Sequence, residues 1–303
     1  MREFVKYKTF DFEPEVAVLH HRPNHQNGQP ILSLIIPTLD GDRNGHLSNL
    51  LNQVYGQSFQ DFESIIIKGD RRQGRAINTG ASVARGRYIL TLDDDTALGH
   101  PDVFARLVQV LDENPDVGMA GVPNLVPGNA SWFVKRVMSE IPRRSSAMVK
   151  EITISDMAEH PCLIMRKDVF FQVGGENELI PRGLDPYLRQ AFREANYKVV
   201  VIPDVHIHHL LPNNFWKLIK QFFRNGIAAA YVNRFYPHWV YDLTTSHKDL
   251  LAPRVGWMQR LGRQIVRLAS ALTRLRLLYL ASQGSYLLGF LWGFITLKDR
   301  KAL

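Results

Sequence analysis

Four short apolar runs separated by segments of helical spacing set the frame for this chain of 303 residues. The runs are Ile31–Pro37 (ILSLIIP), Phe62–Lys68 (FESIIIK), Tyr88–Leu92 (YILTL) and Val117–Val122. Each is short, rich in aliphatic residues and free of the 3.6-residue period, which is the signature of a strand buried on both faces. Between them, Leu47–Val54, Gly74–Arg85 and Phe104–Asn114 carry helical patterns. The second half continues with a strand at Cys162–Met165, a short helix at Asp168–Val173, a helix at Asp185–Asn196 and a strand at Lys198–Ile202, closed by Pro203. Strands alternating with helices at this pace predict an α/β fold, a mostly parallel sheet flanked by helices. The Asn, Gln, Gly and Pro cluster at 24–30 reads as a linker. The expected organisation is therefore an N-terminal extension at 1–30, the α/β domain at 31–240 and a C-terminal region at 241–303. No internal repeat is visible. The opening segment has no apolar run long enough for a signal peptide, so secretion is not expected.

Composition narrows the class. With 45% hydrophobic and 22% charged residues the chain is neither disordered nor fibrous. Its single cysteine, Cys162, excludes an intramolecular disulfide and suits a reducing compartment. The net charge of +8 calls for an anionic partner: nucleic acid, acidic lipid headgroups or a phosphorylated substrate. Between Leu251 and Leu303 there are nine Lys or Arg and one acid, Asp299, so this segment alone carries the excess.

Three consecutive carboxylates, Asp93-Asp94-Asp95, follow the third strand. In open parallel sheets ligands bind at the carboxyl ends of strands. Neighbouring carboxylates repel, and a divalent cation with a taste for oxygen, Mg²⁺ or Mn²⁺, offsets that repulsion while bridging to phosphate. A solvated acidic turn is the plain alternative. Arg71 and Arg75 follow the second strand, within sequence reach of a diphosphate or as ordinary surface charge. Of His206, His208 and His209, strand alternation sends the first two to one face and His209 to the other. No carboxylate or Cys sits at zinc spacing beside them.

These residues also form an ordered series. Asn78-Thr79-Gly80, then Arg85-Gly86-Arg87-Tyr88-Ile89 and Leu92-Asp93-Asp94-Asp95, resembles the signature of family 2 glycosyltransferases of the GT-A fold. Pro37-Thr38 resembles the end of that family's opening strand. Downstream, Arg166 to Phe170, Val173-Gly174-Gly175 and Glu178 look like a further motif of the family, and His209 stands six residues after Pro203 as its histidine does. The resemblance covers roughly 31–240. It implies a Rossmann-like GT-A domain that transfers a sugar from a nucleotide-diphosphate donor to an acceptor hydroxyl with inversion. It further implies metal binding by Asp93, Asp95 and His209, with Mn²⁺ or Mg²⁺ as cofactor. Asp185 would be the base that deprotonates the acceptor. Pro37, Thr38, Asp40, Asp70, Arg75, Asn78, Asp93 and Asp94 would lie along the nucleotide-sugar. Two places depart from the pattern. Lys68-Gly69-Asp70 replaces an acidic stretch after the second strand, with Asp70 as a shifted substitute, and Leu184 replaces the acid before Asp185. Those departures leave a catalytically impaired subunit of a membrane assembly as the alternative reading.

The C-terminal region has a different character. Met258, Leu261, Ile265, Leu268, Leu272 and Leu275 repeat at steps of three and four, beside a stripe of Arg260, Arg263, Arg267 and Arg274. This is a basic amphipathic helix of the kind that lies on membranes. It leads into Leu277–Leu297, twenty-one residues without a charge. That length suffices to span a bilayer, but Gln283, the glycines and basic flanks on both sides favour an in-plane or re-entrant hairpin. The expectation is a membrane-associating segment over 256–301, contacting anionic lipid on the cytoplasmic face of the plasma (inner) membrane. A lipid-linked or saccharide acceptor suits that location. Ala281, Ser285, Gly289 and Gly293 recur every four residues and suggest a homo-oligomer contact. Nucleic acid is not an expected partner, because the charge excess adjoins an apolar helix rather than an aromatic-lined groove.

Overall fold

The computed structural model of the chain describes residues 15–21, 28–42, 44–209, 212–241 and 256–298. In chain order the elements are β1 (Glu15–His21), β2 (Leu32–Thr38), α1 (His46–Tyr55), β3 (Phe62–Lys68), α2 (Gln73–Val83), β4 (Tyr88–Leu92), β5 (Thr96–Leu98), α3 (Val103–Glu113) and β6 (Val117–Gly121). There follow α4 (Trp132–Glu140), β7 (Thr153–Ile154), β8 (Cys162–Arg166), α5 (Lys167–Gln172), α6 (Asp185–Glu194), β9 (Lys198–Val201), β10 (Ile207–His209), α7 (Phe215–Phe235), α8 (Trp257–Thr273) and α9 (Leu277–Thr296). The chain divides into two compact units: one of residues 1–125, 146–210 and 246–250, the other of 126–145, 211–245 and 251–303. The segments 126–145 and 211–240, which the sequence places inside the α/β domain, thus group with the C-terminal helices.

The first unit is built on an eight-stranded sheet of order β1-β3-β2-β4-β8-β6-β9-β7. Five strands (β3, β2, β4, β6 and β9) share one direction; β1, β8 and β7 oppose it. The sheet is therefore mixed, mostly parallel by direction. The expected parallel frame is interrupted because β8 enters antiparallel between β4 and β6. Alternation along β2 shows how both faces are covered. Leu32, Leu34 and Ile36 pack with α1 and α3, through Leu50, Leu107 and Leu111. Ile35 packs to the other side with Ala76 and Ile77 of α2 and Leu188 and Phe192 of α6. With both faces buried, strands read as unbroken apolar runs, which is what made them visible in the sequence. The motif glycine Gly86 has a structural cause: a Cβ there would stand 2.7 Å from the Ser33 amide nitrogen. Beside it, buried Glu63 accepts from the Ser33 hydroxyl (2.7 Å) and the Arg85 amide (2.7 Å), tying the end of α2 to the sheet. Burial opposes the charge on Glu63, yet the Arg85 amide and side chain and the Ser33 hydroxyl hold its pKa below the usual carboxylate value.

The second unit is helical. Val137 and Ile141 from the α4 region, Leu218 and Phe222 of α7, Ala271 of α8 and Tyr279 of α9 form its core. Glu140 accepts from the Leu278 amide (2.9 Å) and the Tyr279 amide (3.3 Å), so a carboxylate caps the positive end of α9. The small-residue stripe is used within the chain. The Ser285 hydroxyl donates to the Ile219 carbonyl (2.7 Å). A Cβ on Gly289 would meet the Phe223 carbonyl oxygen at 2.0 Å, and one on Gly293 would meet Ile227 at 3.0 Å. Gly226 of α7 answers from the other side, 2.1 Å from the Tyr286 oxygen by the same construction. This corrects the oligomer expectation at Ser285, Gly289 and Gly293, whose faces are already covered by α7. No helix among the described residues is long and apolar enough to cross a membrane. In α9 the polar stretch Ser282 to Ser285 interrupts the apolar run.

Gly289→Val forces α9 away from α7, and we expect it to lower unfolding free energy by roughly 1–3 kcal/mol. Gly284→Ala, where a Cβ meets nothing within 4 Å, leaves stability unchanged or slightly raised. Denaturant titration of both variants checks this; equal effects would contradict the packing account.

Candidate active site

Parallel strands end on one edge of a sheet, and the β3-β2-β4 neighbours place three loops side by side there. Thr38 closes β2, Asp70 follows β3, and Asp93-Asp94-Asp95 follows β4. The turn after β2 is held by Thr38, whose Oγ1 accepts from the Gly41 amide (3.2 Å) and whose carbonyl accepts from the Gly69 amide (3.0 Å). Pro37 is half-buried at the end of β2, and exposed Asp40 accepts from the Asp42 amide (3.0 Å).

His209 reaches the acids through a small ladder. β10 pairs antiparallel with β5, setting His209 opposite Thr96 and hence beside Asp95. Its Nε2 lies 3.1 Å from Asp95 Oδ1 and 3.7 Å from Asp93 Oδ2. One donor atom from each of the three residues falls within 4.8 Å of the others. Two hard carboxylates and one imidazole, partly buried and convergent, fit a divalent cation of the Mn²⁺ or Mg²⁺ type. Gln73, at the start of α2, donates to Asp93 Oδ1 (2.7 Å) and fixes that carboxylate. Burial and the charges of Asp95 and Asp185 push the Asp93 pKa up to about 6, against the opposing pull of His209 and His160. The other two histidines go elsewhere, as alternation requires: His208 Nδ1 lies 2.8 Å from the Leu125 carbonyl, and the His206 ring packs on it at 5.1 Å.

Asp185 opens α6 and is held on the same rim. Its Oδ1 accepts from the His160 amide (2.9 Å). Burial raises its pKa, but His160, Arg189 and backbone amides together bring it below the ordinary carboxylate value. His160 is buried, with Nε2 2.7 Å from Glu176 Oε1 and Nδ1 3.1 Å from the Thr91 hydroxyl. Burial opposes its charge; Glu176, Asp185 and Asp93 overcome that and raise its pKa to about 9. Arg189 of α6 donates to the Ala158 carbonyl (2.8 Å), stapling this helix to the segment carrying His160. His160 thus lies between Asp185 and the metal-type cluster: its backbone amide donates to Asp185, and its ring contacts the Thr91 hydroxyl two residues before Asp93.

Other expected site residues have different work. Asn78 is fully buried and clasps the 176–178 segment, donating to the Glu176 carbonyl (3.0 Å) and Glu178 Oε1 (3.0 Å) and accepting from the Glu176 amide (2.8 Å). It holds a loop rather than facing a ligand, which corrects its place along the nucleotide-sugar. Arg75 and Asp70 form a buried bidentate pair at 2.6 and 2.8 Å, so each neutralises the other. Asp70 also accepts from the Arg72 amide (2.8 Å), shaping the turn into α2. Asp94 and Asp95 are buried. Leu184 is buried too, its Cδ1 3.3 Å from where a Cβ on Gly74 would lie, so an apolar core contact replaces the absent acid. Gln73, Thr91, His160 and Glu176 were missed in the sequence. They lie 16 to 103 positions apart and match no motif; only a fold brings them together.

Comparison with known proteins agrees with this architecture. The sequence model of Glycosyl transferase family 2 matches residues 35–171 of the chain. Among solved structures, the mannosyltransferase PcManGT from Pyrobaculum calidifontis, in complex with GDP-Man and Mn²⁺, is similar over 93% of this chain and 90% of its own. Identity there is 13% and the TM-score 0.56. That likeness shows the fold. Staphylococcus aureus TarS, residues 1–349, aligns over 88% of this chain and 90% of its own at 14% identity and a TM-score of 0.45. No curated protein matches.

The His160–Glu176 pair has a consequence for pH. A histidine whose folded pKa is raised stabilises the fold fully below its unfolded value, 6.5, and loses that contribution as pH rises through about 9. We expect wild-type stability to fall by roughly 2–3 kcal/mol across this window and the fall to vanish in His160→Gln. Urea melts at pH 6 and 9.5 decide it; parallel slopes for the two proteins would contradict the assignment.

Proposed function

We propose that this protein transfers a sugar, with inversion, from a nucleotide-diphosphate sugar to an acceptor hydroxyl in a metal-dependent reaction. The observation that carries the reading is the meeting of Asp93, Asp95 and His209 on the strand-end rim, with Asp185 linked to them through His160. The Mn²⁺ and GDP-Man of the PcManGT complex support it by analogy of fold. Mn²⁺ or Mg²⁺ held by Asp93, Asp95 and His209 supplies charge neutralisation for the leaving diphosphate. Gln73 keeps Asp93 turned toward that position. The ends of β2 and β3, with Pro37, Thr38, Asp40, Asp70 and the Arg75 paired to it, border the nucleotide, and Asp94 lies near its sugar. Asp185, kept ionised by His160 and Arg189, takes the acceptor hydroxyl proton as the oxygen attacks the anomeric carbon from the face opposite the departing phosphate. The new carbon–oxygen bond forms as the anomeric carbon–phosphate oxygen bond breaks, and the proton passes from Asp185 to solvent.

The acceptor in this proposal is lipid-linked or a growing polysaccharide, met at the cytoplasmic face of the plasma (inner) membrane. Support comes from the second unit. The apolar stripe of α8 points outward at Met258, Leu261, Ile265 and Leu272, all more than half exposed. Arg263, Arg267 and Arg274 are exposed on the same helix. An amphipathic helix that shows its apolar side to the outside, beside cations, suits an anionic bilayer.

A panel of nucleotide sugars with Mn²⁺ tests the chemistry. For the donor used, Asp185→Asn lowers kcat by about 10²–10⁴ with little change in donor affinity, whereas Asp95→Ala weakens donor binding as well. Wild-type rates in both variants would end the reading.

A further inference from the structure

The close approach of α7 and α9 leaves a groove along the outside of the second unit, with a volume of about 700 Å³. Trp216, Ile219 and Phe223 of α7 and Gly284 and Leu288 of α9 line it. The lining is almost wholly apolar, and Trp216 and Leu288 are 76% and 64% exposed. Ser285 offers the groove no free hydroxyl, because that group donates to the Ile219 carbonyl. Above Gly284 there is open space: an added Cβ meets nothing within 4 Å.

One edge of the groove is cationic. Lys220 lines it, and Lys217 and Arg224 stand three residues before and four after on the same exposed helix face. The sequence of α7 holds no carboxylate at all. Among the described residues none of these three cations makes an ion pair. A peptide laid in such a groove finds no partners for its backbone amides. A single hydrocarbon chain needs none, and its anionic head finds three cations at the edge.

We propose that the α7–α9 groove binds the hydrocarbon chain of a lipid phosphate, with Lys217, Lys220 and Arg224 at the phosphate, and that this lipid is the carrier of the sugar acceptor. The second part rests on the reading of a lipid-linked acceptor given above. The groove is a site for one chain, distinct from general contact between α8 and a bilayer.

Dodecyl phosphate, used with the full chain below its micelle concentration, is the probe, and isothermal titration calorimetry the readout. Wild type binds it saturably at one site, and dodecyltrimethylammonium, the same chain with the opposite charge, at least tenfold more weakly. Gly284→Leu puts a side chain into the lining of the groove, at a position where an added Cβ meets nothing within 4 Å, and weakens binding at least tenfold at unchanged melting temperature. Lys220→Glu, at an exposed position, weakens it similarly and serves should the leucine variant not fold. Asp95→Ala binds as wild type does. Equal binding by wild type and both groove variants overturns the proposal. So does non-saturating uptake, or binding to phosphatidylglycerol vesicles alone, which would make the face a bilayer contact. Binding without any sugar transfer would defeat the transferase reading and leave the groove intact; transfer without binding would defeat only the groove.

Discussion

The organising constraint is repulsion among acids at the end of β4. Asp93 feels the charges of Asp95 and Asp185, on a rim where burial already penalises ionisation of Asp93 and Asp185. Each neighbouring element answers that. The β10–β5 ladder delivers His209 to Asp95 and Asp93, the first turn of α2 delivers Gln73, and the segment before β8 delivers His160. His160 in turn is charged because Glu176 stands against it. Asp93, Asp95 and His209 together present a trio of donors of the kind a hard divalent cation completes. The mixed sheet, the edge on which its strands end and the entry of β8 as an antiparallel member all serve to bring four distant segments to that rim.

Much of this was legible in the sequence, and for one reason. Strands buried on both faces write their environment into an unbroken apolar run, so β2, β3, β4, β6 and β9 could be marked from composition and length alone. The acids after β4 could be placed because a strand end in a parallel sheet is a ligand site on general grounds. Burial of ions reads poorly. His160 and Glu176 form their pair 16 positions apart, with no periodicity linking them, and a lone histidine after an apolar segment gives no sign that it will be protonated. Asn78 illustrates the opposite error. Its place in a motif suggests a ligand contact, whereas its amide is consumed in holding Glu176 and Glu178. Gly86 likewise stands in the motif because Ser33 passes too close for any side chain.

The second unit shows how a pattern of small residues can be read correctly for its physics and wrongly for its partner. Serine and glycine at four-residue steps do permit backbones to approach, and here the approaching backbone is α7 of the same chain. Once that face is occupied, the large apolar residues of α9, Leu287, Leu288, Leu291, Trp292 and Ile295, are left turned outward, more than half exposed in every case except Leu291, at 50%. Exposed apolar area of that extent marks an interaction surface. The segments 126–145 and 211–245 join it through Glu140 and the Leu218–Phe222 pair, contacts whose long sequence separation hid them from a linear reading.

Pulsed electron paramagnetic resonance of Mn²⁺ added to the protein probes the rim most directly. If Asp93, Asp95 and His209 hold the cation, one imidazole nitrogen couples to it, and phosphorus couplings join when a nucleoside diphosphate is added. His209→Gln removes the nitrogen coupling alone, and Asp95→Ala removes the bound ion. Manganese that binds as well to Asp95→Ala, or shows no nitrogen coupling in the wild type, would contradict the assignment of this site.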